Sequence, residues 1–280
     1  MATADPVDDA TAVRCHGLVK LYRSATSETY ALRGLDLVLR RGVLTVVAGP
    51  SGSGKSSLLH LVAARDRPSA GELDVLGTDL ATAAPAQLRR LRRRRIGFVA
   101  QRSATALFPH LSAAQQLRQV AALRGGPLDV TAALEAVDLG GRADHRPRTS
   151  SGGEQQRLAV AASLVGAPDL IVADEPTAEL DHENADLVMS ALVTAARQGS
   201  AVVVSSHDHR VVSRADRVLR LRHGVLSSEQ EGVGAATTAV IDSTGRLQLP
   251  PEALDLFPDG RAAVHLVDGE VVLRAPGGPA

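Results

Sequence analysis

The sequence contains one cysteine, no tryptophan, two tyrosines and three phenylalanines among its 280 residues. The lone Cys15 excludes an internal disulfide and favours a reducing compartment. A formal net charge of zero gives no overall field that would favour nucleic acid or an anionic membrane as partner. No apolar run approaches the roughly 18 residues of a membrane-spanning helix, so a membrane role would need a partner. Met1 to Ala12 lacks the pattern of a secretory signal and is predicted to be a disordered lead.

Lysine is also scarce, because 29 arginines accompany only Lys20 and Lys55. A lysine kept in such a chain indicates a place where a compact ammonium fits and a planar guanidinium does not. Lys55 lies in a G-x-x-x-x-G-K-S pattern, which is typical of a phosphate-binding loop. The residues of this predicted P-loop are Gly49, Pro50, Ser51, Gly52, Ser53, Gly54, Lys55, Ser56 and Ser57.

The residues around the loop support the same interpretation. Val43 to Ala48 is a short apolar, β-branched run, and apolar residues recur at helical spacing after the loop. Glycines let successive N–H groups face phosphate oxygens, and a helix N-terminus adds partial positive charge. We expect Lys55 to reach the β- and γ-phosphates and the Ser56 hydroxyl to bind Mg²⁺. A chance Gly/Ser-rich turn is the alternative.

The N-terminal region predicts an antiparallel sheet, since apolar and polar residues roughly alternate over Val13 to Leu21 and Leu32 to Leu39. Tyr22 falls between these strands. In a chain with so few aromatic residues, Tyr22 is a candidate platform on which adenine stacks. A tyrosine that closes the sheet edge is the alternative.

The next stretch contains the strongest run of one charge. Gly71 to Leu76 is predicted as a strand, Pro85 to Arg95 as a helix, and Ile96 to Ala100 as a strand that ends at Gln101. The run could face lipid headgroups, a partner or nucleic acid, and a solvated helix face is the commoner explanation. Its residues are Arg89, Arg90, Arg92, Arg93, Arg94 and Arg95.

Residues 104 to 165 are predicted to form an α-rich subdomain inserted between strands. Amphipathic spacing indicates helices over Leu111 to Leu123 and Leu128 to Val137. A Ser/Gly turn at residues 150–155 then opens a helix from Gln156 to Val165. Like the P-loop, this turn aims backbone donors and a helix N-terminus at whatever lies in front of it.

Two adjacent carboxylates follow an apolar strand, Leu170 to Ala173. We expect Asp174 to hold Mg²⁺ through water and Glu175 to polarise an attacking water. The strand Ala201 to Ser205 has the same geometry and leads to His207, which is placed to touch a γ-phosphate. A plain surface histidine is the alternative for His207, since the chain has nine.

These stretches, in this order, resemble the ATPase subunit of ATP-binding cassette (ABC) transporters over residues 13 to 230. The resemblance implies ATP and Mg²⁺ as cofactors and ATP hydrolysis as the reaction. It makes Tyr22 the adenine-stacking residue, Gln101 the metal and coupling glutamine, and His207 the switch histidine. It also makes Asp174 the Mg²⁺-binding aspartate and Glu175 the catalytic glutamate. By similarity, the signature motif is Ser151, Gly152, Gly153, Glu154 and Gln155, and the D-loop is Ala178, Glu179, Leu180 and Asp181.

Within that superfamily, segments such as Ala31-Leu32-Arg33-Gly34 and Asn184-Ala185-Asp186 resemble the lipoprotein-releasing and macrolide-export group. Two residues depart from the family pattern. Ser150 stands where the signature usually has leucine, and Ala162 where its helix usually has arginine. Neither position supplies a phosphate ligand, so the departures bear on packing of the signature helix and on coupling.

The resemblance implies two kinds of partner: a second ATPase subunit, identical or different, and a transmembrane permease contacted through Gln101 and Ala106 to Leu117. Two ATP molecules would be sandwiched between the P-loop of one subunit and the signature of the other. It also implies a cytoplasmic location on the inner face of the cell membrane, reached only through the permease. The rivals are a soluble cassette ATPase and a regulatory subunit that does not hydrolyse ATP. One P-loop argues against the first, and intact Glu175 and His207 argue against the second.

The predicted fold is α/β: a P-loop NTPase core with an antiparallel β subdomain, an inserted α-helical subdomain and a small C-terminal β-rich module. The polar, Gly-containing stretch Ser227 to Ala236 is predicted to be a linker, and the boundary between the ATPase domain and the C-terminal module is placed at 231–237. The module, at 238–276, is called the tail below. Its pattern predicts a hairpin of Thr238 to Ile241 with Arg246 to Leu249 and a short helix from Pro250 to Phe257. A second hairpin is predicted to join Ala262 to Val267 with Val271 to Arg274.

The tail is too small to bury a core alone, so we expect it to pair with a copy of itself or dock on the ATPase. Ile241 to Pro250 resembles the swapped-hairpin, AbrB-like family of dimeric regulators, whose members bind DNA. From Ala239 to Arg274, however, three arginines face six acids, and this excess of negative charge opposes phosphate binding. The tail is therefore predicted to be a dimerisation module, with DNA binding as the alternative.

Overall fold

The structure, a computed structural model, describes residues 10–24, 27–102, 106–126, 128–178, 180–232, 235–241, 245–249, 251–257, 259–267 and 270–274. The strands are β1 Thr11–Arg23, β2 Glu28–Arg40, β3 Leu44–Ala48, β4 Ala70–Val75, β5 Thr78–Asp79, β6 Ile96–Val99, β7 Leu170–Asp174, β8 Ala201–Ser205, β9 Arg217–Arg222, β10 Val225–Glu231, β11 Thr238–Ala239, β12 Ala263–Val267 and β13 Glu270–Arg274. The α-helices are α1 Lys55–Val62, α2 Pro85–Arg95, α3 Ala113–Arg124, α4 Val130–Glu135, α5 Gly152–Leu164, α6 His182–Arg197, α7 His209–Val212 and α8 Pro251–Leu254. No described helix is both long enough and apolar enough to cross a bilayer.

The first sheet is antiparallel and has the strand order β2-β1-β4-β5, which confirms the antiparallel sheet predicted near the N-terminus. Cys15 lies opposite Leu37 on one side and Leu73 on the other, and all three are buried on the inner face. Burial, with a smaller effect of the Asp36 carboxylate, raises the pKa of the Cys15 thiol to about 12, so this thiol is inert. Because β1 begins at Thr11, the predicted disordered lead is wrong for residues 11 and 12, and residues 1–9 lie outside the described part.

The second sheet has the order β11-β10-β9-β3-β8-β7-β6. Its strands from β9 to β6 run parallel, and their valine- and leucine-rich sequences suit a sheet covered on both faces. Parallel strands end at the same edge of a sheet. The P-loop, Gln101, Glu175 and His207, which follow β3, β6, β7 and β8, therefore meet at one edge, as the sequence predicted.

Two apolar clusters cover the faces of this sheet. On one face α1, through Leu58 and Leu61, packs between the two sheets. On the other, α6 buries Val188, Met189 and Leu192 at helical spacing. Burial of both faces fixes the rigid platform from which the loops at the sheet edge project.

The helical subdomain has its own apolar cluster, which includes Leu117, Leu134 and Leu158. Its helices are shorter than predicted: α3 begins after the Ser112 cap, and α4 covers only Val130–Glu135. The helix predicted to begin at Gln156 begins at Gly152, directly after the Ser151 N-cap. The predicted Ser/Gly turn is therefore wrong for residues 152–155, which are helical.

Arg124 ties this subdomain to the sheet. Its guanidinium donates to the carbonyls of Ser163 (2.7 Å) and Val165 at the end of α5, and of Ile96 (3.0 Å) at the start of β6. Burial lowers the pKa of Arg124 to about 10. The Arg124 side chain thus links the end of α3 to two elements. One is α5, which begins with signature residues, and the other is β6, which precedes Gln101.

The tail extends the second sheet. Because β10 runs to Glu231, the predicted linker is wrong for residues 227–231, and β11 adds one further strand against β10. In the described part, the first predicted hairpin is a single bridge between Ile241 and Leu247, and its turn at 242–244 lies outside that part. The second hairpin is confirmed as β12 paired with β13, and its turn at 268–269 also lies outside the described residues. The short helix is confirmed as α8.

Candidate functional site

The P-loop joins β3 to α1. Gly54 is the N-cap of α1 in a left-handed conformation, with φ 104°, and the helix begins at Lys55. The Lys55 side chain turns back over the loop and donates to the carbonyls of Gly49 (2.8 Å) and Pro50 (3.0 Å). Its ammonium is therefore held at the centre of the loop, where it can meet phosphate oxygens.

The path of the loop requires two glycines. A Cβ atom on Gly49, whose φ is 151°, would lie 2.2 Å from the carbonyl oxygen of Leu221. A Cβ on Gly54 would lie 2.4 Å from the carbonyl oxygen of Ala31. Among the described residues, the buried Ser53 hydroxyl oxygen has no hydrogen-bond partner. The backbone of two other segments thus presses on the loop from behind.

In front of the loop is a cleft of about 710 Å³, called the P-loop cleft. It is lined by Tyr22, Thr29, Tyr30, Ala31, Gly49, Pro50, Ser51, Gly52, Gly54, Lys55, Ser56, Ser57, Gln101, Glu175 and His207. Most of the predicted site residues therefore meet in one cleft. The sequence analysis missed Thr29, Tyr30 and Ala31, although a second tyrosine in so aromatic-poor a chain was a signal.

Tyr22 lies at the mouth of the cleft, and 42% of its surface is exposed. Its hydroxyl donates to an Asp66 carboxylate oxygen (3.4 Å), and the Lys20 ammonium lies 4.9 Å from the ring centroid. The Lys20 ammonium also pairs with Asp66 at 2.7 Å. The ring is thus fixed in place while it keeps the exposure that a stacked base requires.

The two carboxylates after β7 have different surroundings. Asp174 is 5% exposed, and the Ser205 hydroxyl donates to its Oδ1 at 2.5 Å. The Glu175 N–H donates to the same Ser205 hydroxyl (2.9 Å), and its carboxylate lies 3.5 Å from Nδ1 of His207. Glu175 has φ 46°, a strained conformation for a residue other than glycine. Ser205, which the sequence analysis took only as a strand end, fixes both acids.

A second cavity, of about 390 Å³, is called the signature cavity. It is lined by Ser151, Gly153, Glu154, Arg157, Leu180, Asp181 and Asn184, and it shares no lining residue with the P-loop cleft. Gly152 lies beside it as the first residue of α5. Arg157 and Asn184 were not predicted as site residues. The structure thus separates the predicted site residues into two groups on one chain.

Helix caps shape the signature cavity. The Ser151 hydroxyl accepts from the Glu154 N–H (3.2 Å), and the Glu154 carboxylate accepts from the Ser151 N–H (2.8 Å). The hydrogen bond from the Ser151 N–H is the main cause that lowers the pKa of Glu154. Asp181 caps α6 by accepting from the Asn184 N–H (2.9 Å), which likewise lowers the Asp181 pKa. The caps hold two helix N-termini toward one cavity.

Comparison with known proteins identifies the family of the chain. The chain matches the ABC transporter family over residues 32–178, just over half of its length. The lipoprotein-releasing system ATP-binding protein LolD of Xanthomonas oryzae pv. oryzae is 38% identical over 235 residues, which cover 80% of this chain and 94% of LolD. The macrolide export ATP-binding/permease protein MacB of Rhodopseudomonas palustris is 36% identical over 245 residues, which cover 84% of this chain. The chain spans little more than a third of that MacB, 37% of its length.

Among solved structures, the ATP-binding cassette MJ0796 matches with a TM-score of 0.74 at 30% identity, which covers 79% of this chain and 99% of MJ0796. That structure is a dimer in a post-hydrolysis state, bound to ADP and Pi. The predicted fold class and the likeness to the lipoprotein-releasing and macrolide-export group are confirmed. The AbrB-like resemblance of the tail stays a prediction. From its family match, its relatives and its fold, the chain belongs to the ABC transporter family.

Proposed function

We propose that the chain is the ATP-binding and ATP-hydrolysing subunit of a membrane transporter. One observation carries this proposal: the P-loop cleft and the signature cavity of one chain have no lining residue in common. A second ATPase subunit then completes each site by placing its signature residues Ser151 to Gly153 over the P-loop of the first. ATP binds the closed dimer far better than the open one. Loss of the γ-phosphate removes that preference, so the dimer reopens.

The residues of the P-loop cleft fit ATP with Mg²⁺. Backbone amides and Lys55 suit phosphate, and Tyr22 suits adenine. Ser56, Gln101 and Asp174 offer a hydroxyl, an amide and a carboxylate, and oxygen ligands are what Mg²⁺ prefers. A bound Mg²⁺ neutralises charge on the β- and γ-phosphate oxygens.

The chain's own residues supply the rest of the chemistry. Glu175 orients and polarises the attacking water, because Ser205 fixes its backbone and its carboxylate faces the P-loop cleft. His207, 3.5 Å from Glu175, lies at the same end of the cleft and contacts the γ-phosphate. Asp174 holds the metal through water, since the Ser205 hydroxyl fixes the direction of its carboxylate.

The transport partner is a transmembrane permease, which holds the chain on the inner, cytoplasmic face of the cell membrane. The names of LolD and MacB, which refer to a lipoprotein-releasing system and to macrolide export, support this assignment. Movement passes to the permease through Gln101 and the segment from Ala106 to Leu117. The permease determines which cargo is transported and in which direction.

Phosphate release tests the proposal. The purified chain should hydrolyse ATP with Mg²⁺ and should lose that activity in EDTA, because Ser56, Gln101 and Asp174 then lack the metal. Activity per chain should rise with protein concentration, since two chains form each site. Activity that is proportional to concentration down to the lowest value measured would show that one chain completes a site alone.

The tail is proposed to be an accessory dimerisation module. Strands β12 and β13 place Val264, Leu266 and Val271 on one face, where they are 66%, 80% and 65% exposed. A two-stranded sheet is marginal alone, so this face needs a cover, and a second copy of the tail presents the same apolar face.

Truncation after Gly232, which preserves β10, should shift the nucleotide-free protein toward monomer in light scattering. A full-length variant with Val264→Ser and Leu266→Ser keeps β11 and should shift it in the same way. An unchanged mass for both would contradict the proposal, and DNA retained by wild type but not by the truncated chain would favour the alternative use.

A further inference from the structure

The longest stretch of the chain that has only one sign of charge lies between β5 and α4. Residues 80 to 128 contain nine arginines and no aspartate or glutamate, in a chain whose formal net charge is zero. The stretch includes α2 and α3, which contact each other. The arginines of α2 and α3 therefore lie on two helices in contact, and no acid of the same stretch of sequence balances them.

Two arginines of α2 have structural roles. Arg92 donates to the carbonyl of Ala64 (2.6 Å). Arg95 donates to Asp169 (2.6 Å), which also accepts from Arg41 (2.6 Å). Together with the buried Leu88 and Leu91, these contacts fix which face of α2 packs on the protein.

The other four arginines of α2 form what we call the arginine strip: Arg89, Arg90, Arg93 and Arg94. At 100° per residue they span an arc of about 140°, opposite the packed face. All four are exposed, and within the described residues none makes a hydrogen bond or an ion pair. Four neighbouring guanidinium groups of one sign form a positive surface that an external anion can neutralise.

We infer that the arginine strip binds anionic phospholipid headgroups beside the transporter. The location rests on the proposed function: the permease-contacting segment, Ala106 to Leu117, belongs to the same acid-free stretch, and α2 contacts α3, which begins within that segment. A permease at that segment brings α2 close to the membrane surface. Lipid headgroups are mobile, so they can gather around four positive charges on a convex helix face. A rigid protein partner would need acidic side chains at matching positions.

Nucleic acid fits the strip less well. The strip has no aromatic side chain on which a base could stack. Each arginine near an anionic membrane strengthens binding roughly fivefold, so four give several hundred-fold.

Vesicle co-sedimentation of the full chain tests the inference. The wild type should bind phosphatidylcholine vesicles that contain one third phosphatidylglycerol, and should not bind pure phosphatidylcholine. Replacing all four strip residues with glutamine should lower binding by at least about 100-fold. Replacing them with lysine should preserve most of it, since headgroups respond to charge. Salt at about 1 M, where the Debye length is about 3 Å, should abolish it.

The matched control replaces four exposed arginines elsewhere, Arg33, Arg40, Arg146 and Arg197, with glutamine. This variant has the same net charge as the strip variant and should bind vesicles like the wild type. Equal losses in both variants would overturn the inference, as would wild-type binding that the strip variant retains. Stronger binding of the strip to duplex DNA than to anionic vesicles would overturn it in favour of nucleic acid.

ATP hydrolysis separates this inference from the proposed function. The strip variant should hydrolyse ATP in solution like the wild type, because the strip lies outside both cavities. A wild type that hydrolyses ATP but does not bind anionic vesicles would overturn only the inference. A wild type without ATPase activity would instead contradict the proposed function.

Discussion

Glu175→Gln should abolish ATP hydrolysis and leave nucleotide binding nearly intact. The amide keeps the shape of the side chain and loses the charge that orients water, a contribution of about 10²- to 10⁴-fold in rate. With hydrolysis blocked, ATP-bound dimers should accumulate. Phosphate release measures the first effect, and light scattering with ATP measures the second.

Glu183→Gln is the matched control, because Glu183 is exposed in the first turn of α6. It removes the same charge and should leave turnover unchanged. If the Glu175 variant turned over ATP within a few-fold of wild type, the assigned role of Glu175 would be wrong. Loss of binding along with turnover would indicate that the carboxylate mainly supports the structure of the cleft.

Lys55→Ala should weaken nucleotide binding itself, in addition to turnover. Lys55 is 8% exposed, and the carbonyls of Gly49 and Pro50 hold its ammonium over the loop. Loss of its charge-assisted bonds to phosphate should weaken binding by roughly 10- to 100-fold. Lys55→Arg should also weaken it, because the loop accommodates an ammonium and not a guanidinium fork.

Ser151→Ala is the comparison that separates the two cavities. Since Ser151 lines only the signature cavity, the isolated monomer of this variant should bind labelled ATP like the wild type. Its effect should appear only in dimer formation and turnover. Equal losses of monomer affinity in the Lys55 and Ser151 variants would mean that the signature acts on its own chain's nucleotide.

The residues at the edge of the second sheet could be predicted from the sequence, because an apolar strand followed by a polar loop residue is a local pattern. Gln101, Glu175 and His207 each follow an apolar β-branched run, and parallel pairing brings them together. Ser205 was missed for the opposite reason. Its contact with Asp174 depends on the register between β7 and β8, which pairs these two residues across strands and leaves no mark in either sequence.

The two largest errors in element bounds also have physical causes. Gly152 and Gly153 have low helix propensity, yet the reciprocal cap between Ser151 and Glu154 starts the helix there. Residues 227–231 are polar and resemble a linker, but they pair with β9 and become a strand. A local capping box overrides low helix propensity in the first place, and pairing between strands overrides local composition in the second.

Two glycines of the P-loop, Gly49 and Gly54, restrict which substitutions this protein can tolerate. A side chain at Gly49 would collide with the Leu221 carbonyl, and one at Gly54 with the Ala31 carbonyl. Those obstacles are main-chain atoms, which every amino acid at positions 221 and 31 would present alike. A second substitution at either position therefore cannot make room, and a lineage that lost one of these glycines could recover only by reverting it or by moving a whole strand.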